Sequence, residues 1–251
     1  MAHKGGTCGC FPSGLPYPGI AEFLLKAPPG QMGLAEELDV DALWRDTPLA
    51  VIDTETTGKD AARGDRIVEI AIVHFDRGEV TGRHGWLINP GIPIPAEAAA
   101  VHGIKDEDVK DAPRFESLAP KLLELLKGRV PVAYNAGFDR GFVRAEFRRA
   151  GVLATKTLAS PPALRVPCDW IDPLLWARAL QNTAKGFKLG EVAARAGVEL
   201  TNAHRATDDA EAAGRVLYAL LANEGELSYR GLISRQRGYA AGAAGRGNWR
   251  R

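Results

Sequence analysis

Cysteines, long apolar runs and net charge are all scarce in this sequence. It has three cysteines among 251 residues, too few for a disulfide framework in a chain of this length. No run approaches the ~20 apolar residues of a membrane span. Glycine and proline interrupt every apolar stretch in positions 1–33, where a signal peptide needs a continuous one. These absences predict a reducing, cytoplasmic setting and no membrane partner.

The balance of charge is nearly even. With 32 lysines and arginines against 31 aspartates and glutamates, the formal net charge is +1. The molecule as a whole therefore does not attract polyanions, and any basic surface must be local. The closely spaced Cys8 and Cys10 have His3 nearby but no apparent fourth ligand for a zinc site. Their glycine- and proline-rich context favours an irregular arm.

Composition divides the chain into three parts. Residues 1–47 form an irregular N-terminal extension, residues 48–223 form a compact domain, and residues 224–251 form a tail rich in glycine and arginine. The tail has no acidic residue after Glu226, which indicates a solvated, disordered end. The alternative is an auxiliary arm that binds phosphate backbones.

Hydrophobic periodicity predicts an α/β fold for the compact domain. An Asp76-Arg77-Gly78 turn separates two strand-like runs, so these form an antiparallel hairpin. Helices and strands alternate after position 115, which indicates a mixed sheet with helices on both faces. The predicted strands are 49–54, 66–75, 80–88, 130–134 and 166–171. The predicted helices are 115–127, 138–150, 174–180, 189–196 and 206–222.

Two carboxylates stand together where the first apolar strand ends. Side chains alternate along a strand, so Asp53 and Glu55 project from the same face. Carboxylates this close repel each other unless a divalent cation lies between them, and oxygen ligands suit Mg²⁺ or Mn²⁺. The pair alone leaves two interpretations open: a metal site, or a strand end that caps the next turn.

A further carboxylate, Asp139, falls in the first turn of the helix predicted over 138–150. Its neighbours at helical spacing are Phe142, Val143 and Phe147, an apolar stripe. A carboxylate at the head of a buried stripe needs a partner or a metal. An interaction with the helix dipole is the simpler alternative.

Periodicity distinguishes two adjacent aspartates near the start of the last predicted helix. Helical steps from Asp209 lead to the apolar positions 213, 216 and 220, whereas steps from Asp208 lead to a more polar face. Asp209 is therefore the candidate ligand. His204 lies five positions earlier, about 140° around an ideal helix, so we expect it on the loop that enters the helix.

Three segments, in this order along the chain, resemble the exonuclease motifs of the DEDDh family: DTETTG at 53–58, NAGFD at 135–139 and HRATDDA at 204–210. That family includes the proofreading epsilon subunit of bacterial DNA polymerase III, ribonuclease T and oligoribonuclease. The resemblance covers about 48–223. It implies a ribonuclease H-like fold, with a mixed five-stranded sheet flanked by helices, and stepwise removal of nucleotides from 3′ ends.

The resemblance also implies roles for the acidic residues. Two Mg²⁺ or Mn²⁺ ions about 4 Å apart are expected to serve both ends of an in-line displacement. Asp53 would contact both ions, Glu55 and Asp209 would hold the first, and Asp139 would support the second through water. His204 would take the proton of the attacking water, as suits a group that titrates near neutral pH.

Further positions are expected to bind substrate. The backbone around Thr56 and Thr57 would receive the terminal 3′-hydroxyl, and nearby aromatic residues would stack on splayed bases. His102 and Ile104 match a family segment near the terminal nucleotide and would touch its sugar or base, although His102 is equally an ordinary loop histidine. Asn135 either bonds the substrate backbone or caps the helix that follows.

The expected function is a metal-dependent 3′–5′ exonuclease that acts on single-stranded or frayed DNA, in proofreading or repair. DNA is favoured over RNA as the substrate. A polymerase or replisome partner is compatible with this role. One alternative is an RNA-directed exoribonuclease of the oligoribonuclease or ribonuclease T type, because contacts to the 2′-hydroxyl cannot be read from sequence. A second is a weakly catalytic binding subunit of a polymerase.

Overall fold

A computed structural model describes residues 39–152, 160–165, 168–181, 183, 185–200 and 205–245. Its centre is a sheet in the order β3-β2-β1-β4, in which β1 pairs antiparallel with β2 and parallel with β4. β2 and β3 form an antiparallel hairpin. The strands are β1 (Leu49–Thr56), β2 (Ile67–Asp76), β3 (Glu79–Leu87) and β4 (Val130–Val132).

Helices flank this sheet on both faces, which confirms the predicted α/β class and mixed sheet. In the described part of the chain they are α1 (Ala96–His102), α2 (Asp106–Val109), α3 (Phe115–Leu126), α4 (Gly137–Arg149), α5 (Pro173–Leu180), α6 (Leu189–Arg195), α7 (Ala206–Leu221) and α8 (Tyr229–Gly245). Short 3₁₀ turns occupy Trp44–Asp46, Ala61–Arg63 and Pro162–Leu164. No described helix has both the length and the apolar character needed to cross a membrane.

The predicted hairpin is confirmed, and its turn has a clear backbone cause. Arg77 and Gly78 lie between β2 and β3 with φ angles of 53° and 87°. Two consecutive positive φ values define the tight two-residue turn whose twist matches that of paired strands. Glycine adopts this conformation without a steric penalty.

The prediction of a fifth strand over 166–171 is wrong for the residues that the structure describes. Ile171 forms only a single parallel bridge with Val132, through hydrogen bonds at 2.9 Å and 3.1 Å to the backbone on either side of that residue. Pairing ends there because Asp172 caps the helix that Pro173 begins. Positions 166 and 167 lie outside the described residues.

The two faces of the sheet carry different cores. One face packs against α3 and α4, which supply large aromatic side chains including Phe115, Phe142 and Phe147. The other face packs against α5, α7 and α8, where alanines of α7 lie against β1 and β2. Even-numbered β1 residues such as Ile52 face the first core, and odd-numbered ones such as Val51 face the second.

The C-terminal segment, predicted to be a solvated tail, is instead a helix packed on the domain from 229 to 245. Leu232 and Ile233 are 0% and 7% exposed in the core shared with α5 and α7. Leu232 and Ile233 lie three and four positions after Tyr229, on one side of the helix. Their burial, with that of Leu227 just before the helix, offsets the entropic cost of ordering a glycine-rich segment. Positions 246–251 lie outside the described residues.

The arginines of α8 bear on the alternative interpretation of this segment, an arm that binds phosphate backbones. Three of them form ion pairs inside the molecule. Arg230 pairs with Asp41 at 2.9 Å, Arg235 with Glu224 at 3.0 Å, and Arg237 with Asp169 at 2.7 Å.

The N-terminal side of the expected boundary is packed as well. Trp44 is 2% exposed, and Leu43 forms a β-bridge with Ser228. Residues just outside 48–223 at both ends therefore contact each other and the core. Positions 1–38, including Cys8 and Cys10, lie outside the described residues.

Candidate active site

Three carboxylates from two elements meet at the C-terminal end of β1. Asp53 and Glu55 project from the odd-numbered face of β1, and Asp209 stands in the first turn of α7, which covers that face. One oxygen from each of the three lies within 4.8 Å of the other two. This is the "acidic cluster".

Asp139 approaches the same strand end from the other face of the sheet. It lies in the first turn of α4, which follows β4, the parallel neighbour of β1. It is 3% exposed, and the Thr54 hydroxyl donates to its Oδ1 at 2.7 Å. Asp139 therefore lies beside the acidic cluster. A hydrogen bond to Thr54, the residue between the two β1 carboxylates, ties it to that strand.

Burial and mutual repulsion dominate the electrostatics of these groups. Burial, and then the charges of Asp139 and Asp209, raise the pKa of Asp53 well above its ordinary value. Burial and neighbouring carboxylates raise the pKa of Glu55 to about 8. Burial raises the pKa of Asp139 to about 7, against the opposing effect of the Thr54 hydrogen bond. Close carboxylates shift one another in this way because the like charges repel.

The donor set fits a hard divalent cation. All three groups of the acidic cluster offer oxygen atoms, the ligands that Mg²⁺ and Mn²⁺ prefer. A cation there would neutralise the repulsion that raises the pKa values and would favour the ionised carboxylates. The three carboxylates of the acidic cluster could therefore hold a metal ion.

Glu69 is an acidic neighbour that the sequence analysis did not identify. It pairs directly with Glu55 across the β1–β2 ladder, and it is 4% exposed. Arg205 donates to its Oε1 at 3.3 Å, while its Oε2 has no hydrogen-bond partner among the described residues. The signal was present, because Glu69 is a lone charge inside the apolar run 67–73.

Asp208 and Asp209 point to different surroundings. Asp208 lines a groove on the outer side of α7 together with Arg83, Glu211 and Arg215. Asp209 belongs to the acidic cluster. This placement agrees with the choice that helical periodicity favoured. His204, the expected proton acceptor, lies outside the described residues, which resume at Arg205, the residue that precedes α7.

The turn after β1 holds Thr56 and Thr57. Thr56 is 7% exposed, and its hydroxyl donates to the Gly58 carbonyl at 2.6 Å. Thr57 is 2% exposed, and its backbone N–H donates to the Arg66 carbonyl at 2.9 Å. The Thr57 hydroxyl also accepts from the Arg66 backbone N–H at 3.0 Å. Both side chains therefore shape the turn, which begins next to the acidic cluster.

His102 and Ile104 lie at and just beyond the end of α1, and both are buried. The Ile104 amide donates to His102 Nδ1 at 3.1 Å, so a neutral His102 ring carries its proton on Nε2. Nε2 is buried and has no hydrogen-bond partner among the described residues. Burial lowers the pKa of His102, which favours that neutral form. Ile104 packs with Val68 and Ile94 in a small separate core.

Asn135 is exposed and adopts a positive φ of 66°. The alternative in which Asn135 caps α4 is not observed, because Ala136 occupies the N-cap position of that helix. The short polar side chain of asparagine makes this left-handed conformation less costly than for most residues. Its backbone N–H donates to Asp172 Oδ1 at 2.9 Å.

The arrangement of these residues has a counterpart among known proteins. The profile of the family described as "Exonuclease" (RNase_T) matches residues 50–217, which includes every residue of the acidic cluster and Asp139. The chain belongs to this exonuclease family.

Two curated relatives match more than two thirds of this chain. The chain is 33% identical to the 3′-5′ exonuclease DinG of Bacillus subtilis over 180 residues, 71% of this chain and 18% of that protein. It is 36% identical to the PolC-type DNA polymerase III of Streptococcus pneumoniae over 171 residues, 68% of this chain and 11% of that protein. The chain thus spans less than a fifth of the length of these relatives.

Solved structures support the ribonuclease H-like fold. Exonuclease X, solved in complex with 5′ overhanging duplex DNA, aligns with a TM-score of 0.57 and 25% identity over 74% of this chain and 98% of that one. An E. coli ExoI–ssDNA complex aligns with a TM-score of 0.59 and 21% identity over 77% of this chain and 42% of that one. The second likeness concerns the fold alone.

Proposed function

We propose that this protein is a metal-dependent 3′–5′ exonuclease that removes nucleotides from the 3′ end of single-stranded or frayed DNA. The observation that carries the proposal is the acidic cluster, whose three carboxylates offer oxygens within 4.8 Å of one another. Asp139 adds a fourth carboxylate beside them. Membership of the exonuclease family supports the same chemistry.

The proposed site holds two Mg²⁺ or Mn²⁺ ions. Bound ions would supply a nucleophile at neutral pH and stabilise charge on the leaving oxygen. In the proposal, Asp53 would hold both ions, Glu55 and Asp209 would hold the first, and Asp139 would support the second through water. The strand positions of Asp53 and Glu55, and the hydrogen bond that Thr54 donates to Asp139, keep these oxygens in place.

His204 is the proposed proton acceptor for the attacking water. It precedes α7, whose first turn carries Asp209, and an imidazole titrates near the pH at which such a step must operate. We expect His204→Ala to lose most activity and still to bind Mn²⁺. A pH–rate profile that matched the wild type would assign the proton transfer to another group.

A groove beside the site supports a single-stranded substrate. It runs between the turn after β1 and the exposed side of α4, has a volume of about 550 Å³, and is lined by Lys59, Phe138 and Arg148 among others. Phe138 is adjacent to Asp139 and half-buried. An aromatic ring beside cationic side chains suits an unpaired strand, because bases stack on the ring while phosphates meet the charges.

The remaining proposed contacts concern the terminal nucleotide. The backbone at Thr56 and Thr57 would receive its 3′-hydroxyl, which would favour chain ends over internal bonds. His102, which lies near the Thr56 backbone at this end of the site, would contact the sugar. Ile104 would contact the sugar or base, and Asn135 would contact the substrate backbone at the start of α4.

A degradation assay tests the proposal. Purified protein is incubated with Mg²⁺ and 5′-labelled single-stranded DNA, a mismatched 3′ end in duplex DNA, and short RNA, with Asp53→Ala as the control. We expect stepwise shortening from the 3′ end, fastest on single-stranded DNA and absent in the control. Faster cleavage of RNA would favour the exoribonuclease alternative. The absence of cleavage on all three would overturn the proposal.

A polymerase partner is compatible with this proposal. Relatives include PolC-type polymerases that match the chain over about a tenth of their length, so a related exonuclease segment occurs within polymerases. Co-purification with a replicative polymerase and its sliding clamp, with and without primed DNA, tests the association. Failure to bind either would favour a free-standing nuclease.

A further inference from the structure

One buried glutamine joins the C-terminal helix to the rest of the domain. Gln236 on α8 is 6% exposed and uses both ends of its amide. Its Oε1 accepts from the Asp172 backbone N–H at 2.8 Å and from Trp176 Nε1 at 3.2 Å. Its Nε2 donates to the Trp170 carbonyl at 2.9 Å. Gln236 therefore fixes the backbone on both sides of position 171.

Asp172 continues the connection toward the site. Its carboxylate is 8% exposed and accepts three backbone N–H groups: those of Asn135 at 2.9 Å, Leu174 at 3.0 Å and Ala136 at 3.1 Å. The Leu174 bond caps α5. The other two hold the turn between β4 and α4. A carboxylate that accepts several backbone amides orients them strongly, because each bond is charge-assisted.

The turn held by Asp172 leads directly into the helix that carries Asp139. Asn135 adopts its left-handed φ of 66° there, and α4 begins at Gly137. A residue in this conformation persists when its surroundings stabilise it, and the Asp172 bond to the Asn135 amide does so. Asp139 follows three residues after Ala136, so the turn determines where the first helical turn, and its carboxylate, can lie.

We propose that Asp172 and Gln236 are positioning residues for Asp139, and that α8 is consequently part of the catalytic unit. Gln236 lies beyond residues 50–217, the part that the exonuclease family profile matches. The inference rests on the proposed nuclease function only for its effect on turnover. The coupling between the two residues and the Asn135–Ala136 turn can be measured without it.

Two isosteric variants test the coupling, with a control on the same helix. Gln236→Met retains the volume of the side chain and loses its hydrogen bonds. Asp172→Asn replaces one acceptor oxygen by an NH₂ group. Arg235→Ala removes a surface ion pair one residue away from Gln236 and leaves the network intact. All three are compared with the wild type well below their thermal midpoints.

Hydrogen exchange of individual amides is the first measurement. We expect the Asn135 and Ala136 amides to exchange at least about tenfold faster in Asp172→Asn, and several-fold faster in Gln236→Met. The Arg235→Ala control is expected to match the wild type. Unchanged exchange at these amides in both test variants would overturn the inference, whatever happens to turnover.

Metal binding and kinetics form the second measurement. Loss of groups that orient a metal ligand typically costs about 10–100-fold in affinity or activity. We expect weaker Mn²⁺ binding by calorimetry and a lower kcat with little change in KM, partly restored by excess Mn²⁺. A purely structural role would lower the thermal midpoint while Mn²⁺ affinity stayed constant. If the wild type cleaved no substrate, the proposed function would fail, and exchange and Mn²⁺ binding would still decide this inference.

Discussion

Carboxylates removed from solvent, fully or in part, occur in two places in this fold, and their surroundings differ. Glu146 on α4 is 1% exposed, and the Arg66 guanidinium donates to both of its oxygens at 2.6 and 2.9 Å. Arg149 donates to Glu146 as well, at 3.1 Å. Asp53 and Glu55 are surrounded by other carboxylates, and burial together with those charges raises the pKa of both.

The difference is the one expected between a structural charge and a functional one. A buried ion is costly unless it is paired and hydrogen-bonded, and Glu146 has its compensating cations within the chain. The acidic cluster concentrates charge of one sign, which a bound cation would compensate. Carboxylates with strongly perturbed pKa values cluster at functional sites.

The largest expected effect distinguishes two neighbouring aspartates. Asp209→Ala removes a proposed metal ligand, so we expect kcat/KM to fall by about a thousandfold or more, in line with a loss of several kcal/mol of transition-state stabilisation. Asp208→Ala is the matched control and is expected to retain near wild-type turnover. Steady-state kinetics with Mg²⁺ on single-stranded DNA measures both. Wild-type turnover by Asp209→Ala would remove it from the site.

Removing the structural charge should affect stability more than chemistry. Glu146→Ala leaves the half-buried Arg66 without its main partner, and we expect the free energy of unfolding to fall by about 3 kcal/mol. Glu116, at 3.6 Å from Arg66, limits the loss. Urea unfolding measures the change. A loss below about 1 kcal/mol would show that the pair is not a significant source of stability.

The pH dependence of stability should show the repulsion within the acidic cluster. The pKa of Glu55 is raised from 4.5 to about 8 in the folded protein. Between these values the folded state binds more protons than the unfolded state, so the contribution of Glu55 to stability falls as pH rises. We expect the thermal midpoint of the metal-free wild type, relative to Glu55→Gln, to decrease from pH 4.5 to 8.

Added Mg²⁺ provides the control for that experiment. A cation that binds only the folded state stabilises it. We therefore expect Mg²⁺ to make the fall of the thermal midpoint between pH 4.5 and 8 smaller, and to do so more in the wild type than in Glu55→Gln. A wild-type midpoint that rose with pH relative to Glu55→Gln in EDTA would contradict the raised pKa.

The smallest expected effect concerns Glu69, which has an ion pair, as Glu146 does, and lies beside the carboxylates of the acidic cluster. It has one ion pair, with the largely exposed Arg205, and such pairs contribute ~0–1 kcal/mol. Its other oxygen is buried without a described partner. We expect Glu69→Gln to stabilise the metal-free protein slightly, by less than ~1 kcal/mol, because it removes a like charge beside Glu55. A loss as large as that in Glu146→Ala would make Glu69 a structural residue.

Local patterns predicted the main elements and much of the site. The hairpin follows from a turn whose residues tolerate positive φ, and the choice of Asp209 follows from the period of α7. The prediction of a fifth strand was wrong because the pairing at Ile171 stops where Asp172 caps the next helix. Glycine and arginine content predicts a solvated tail where α8 lies, whereas the apolar positions 229, 232 and 233 form the buried side of that helix.

The sequence by itself determined which side chains share a local face: Asp53 with Glu55 by strand alternation, and Asp209 with the buried side of its helix. Only the tertiary structure decided which distant groups meet. Thr54 contacts Asp139 across 85 positions, and Gln236 contacts Asp172 across 64. Such contacts depend on strand order, register and helix packing, which arise from the whole core and not from any one segment.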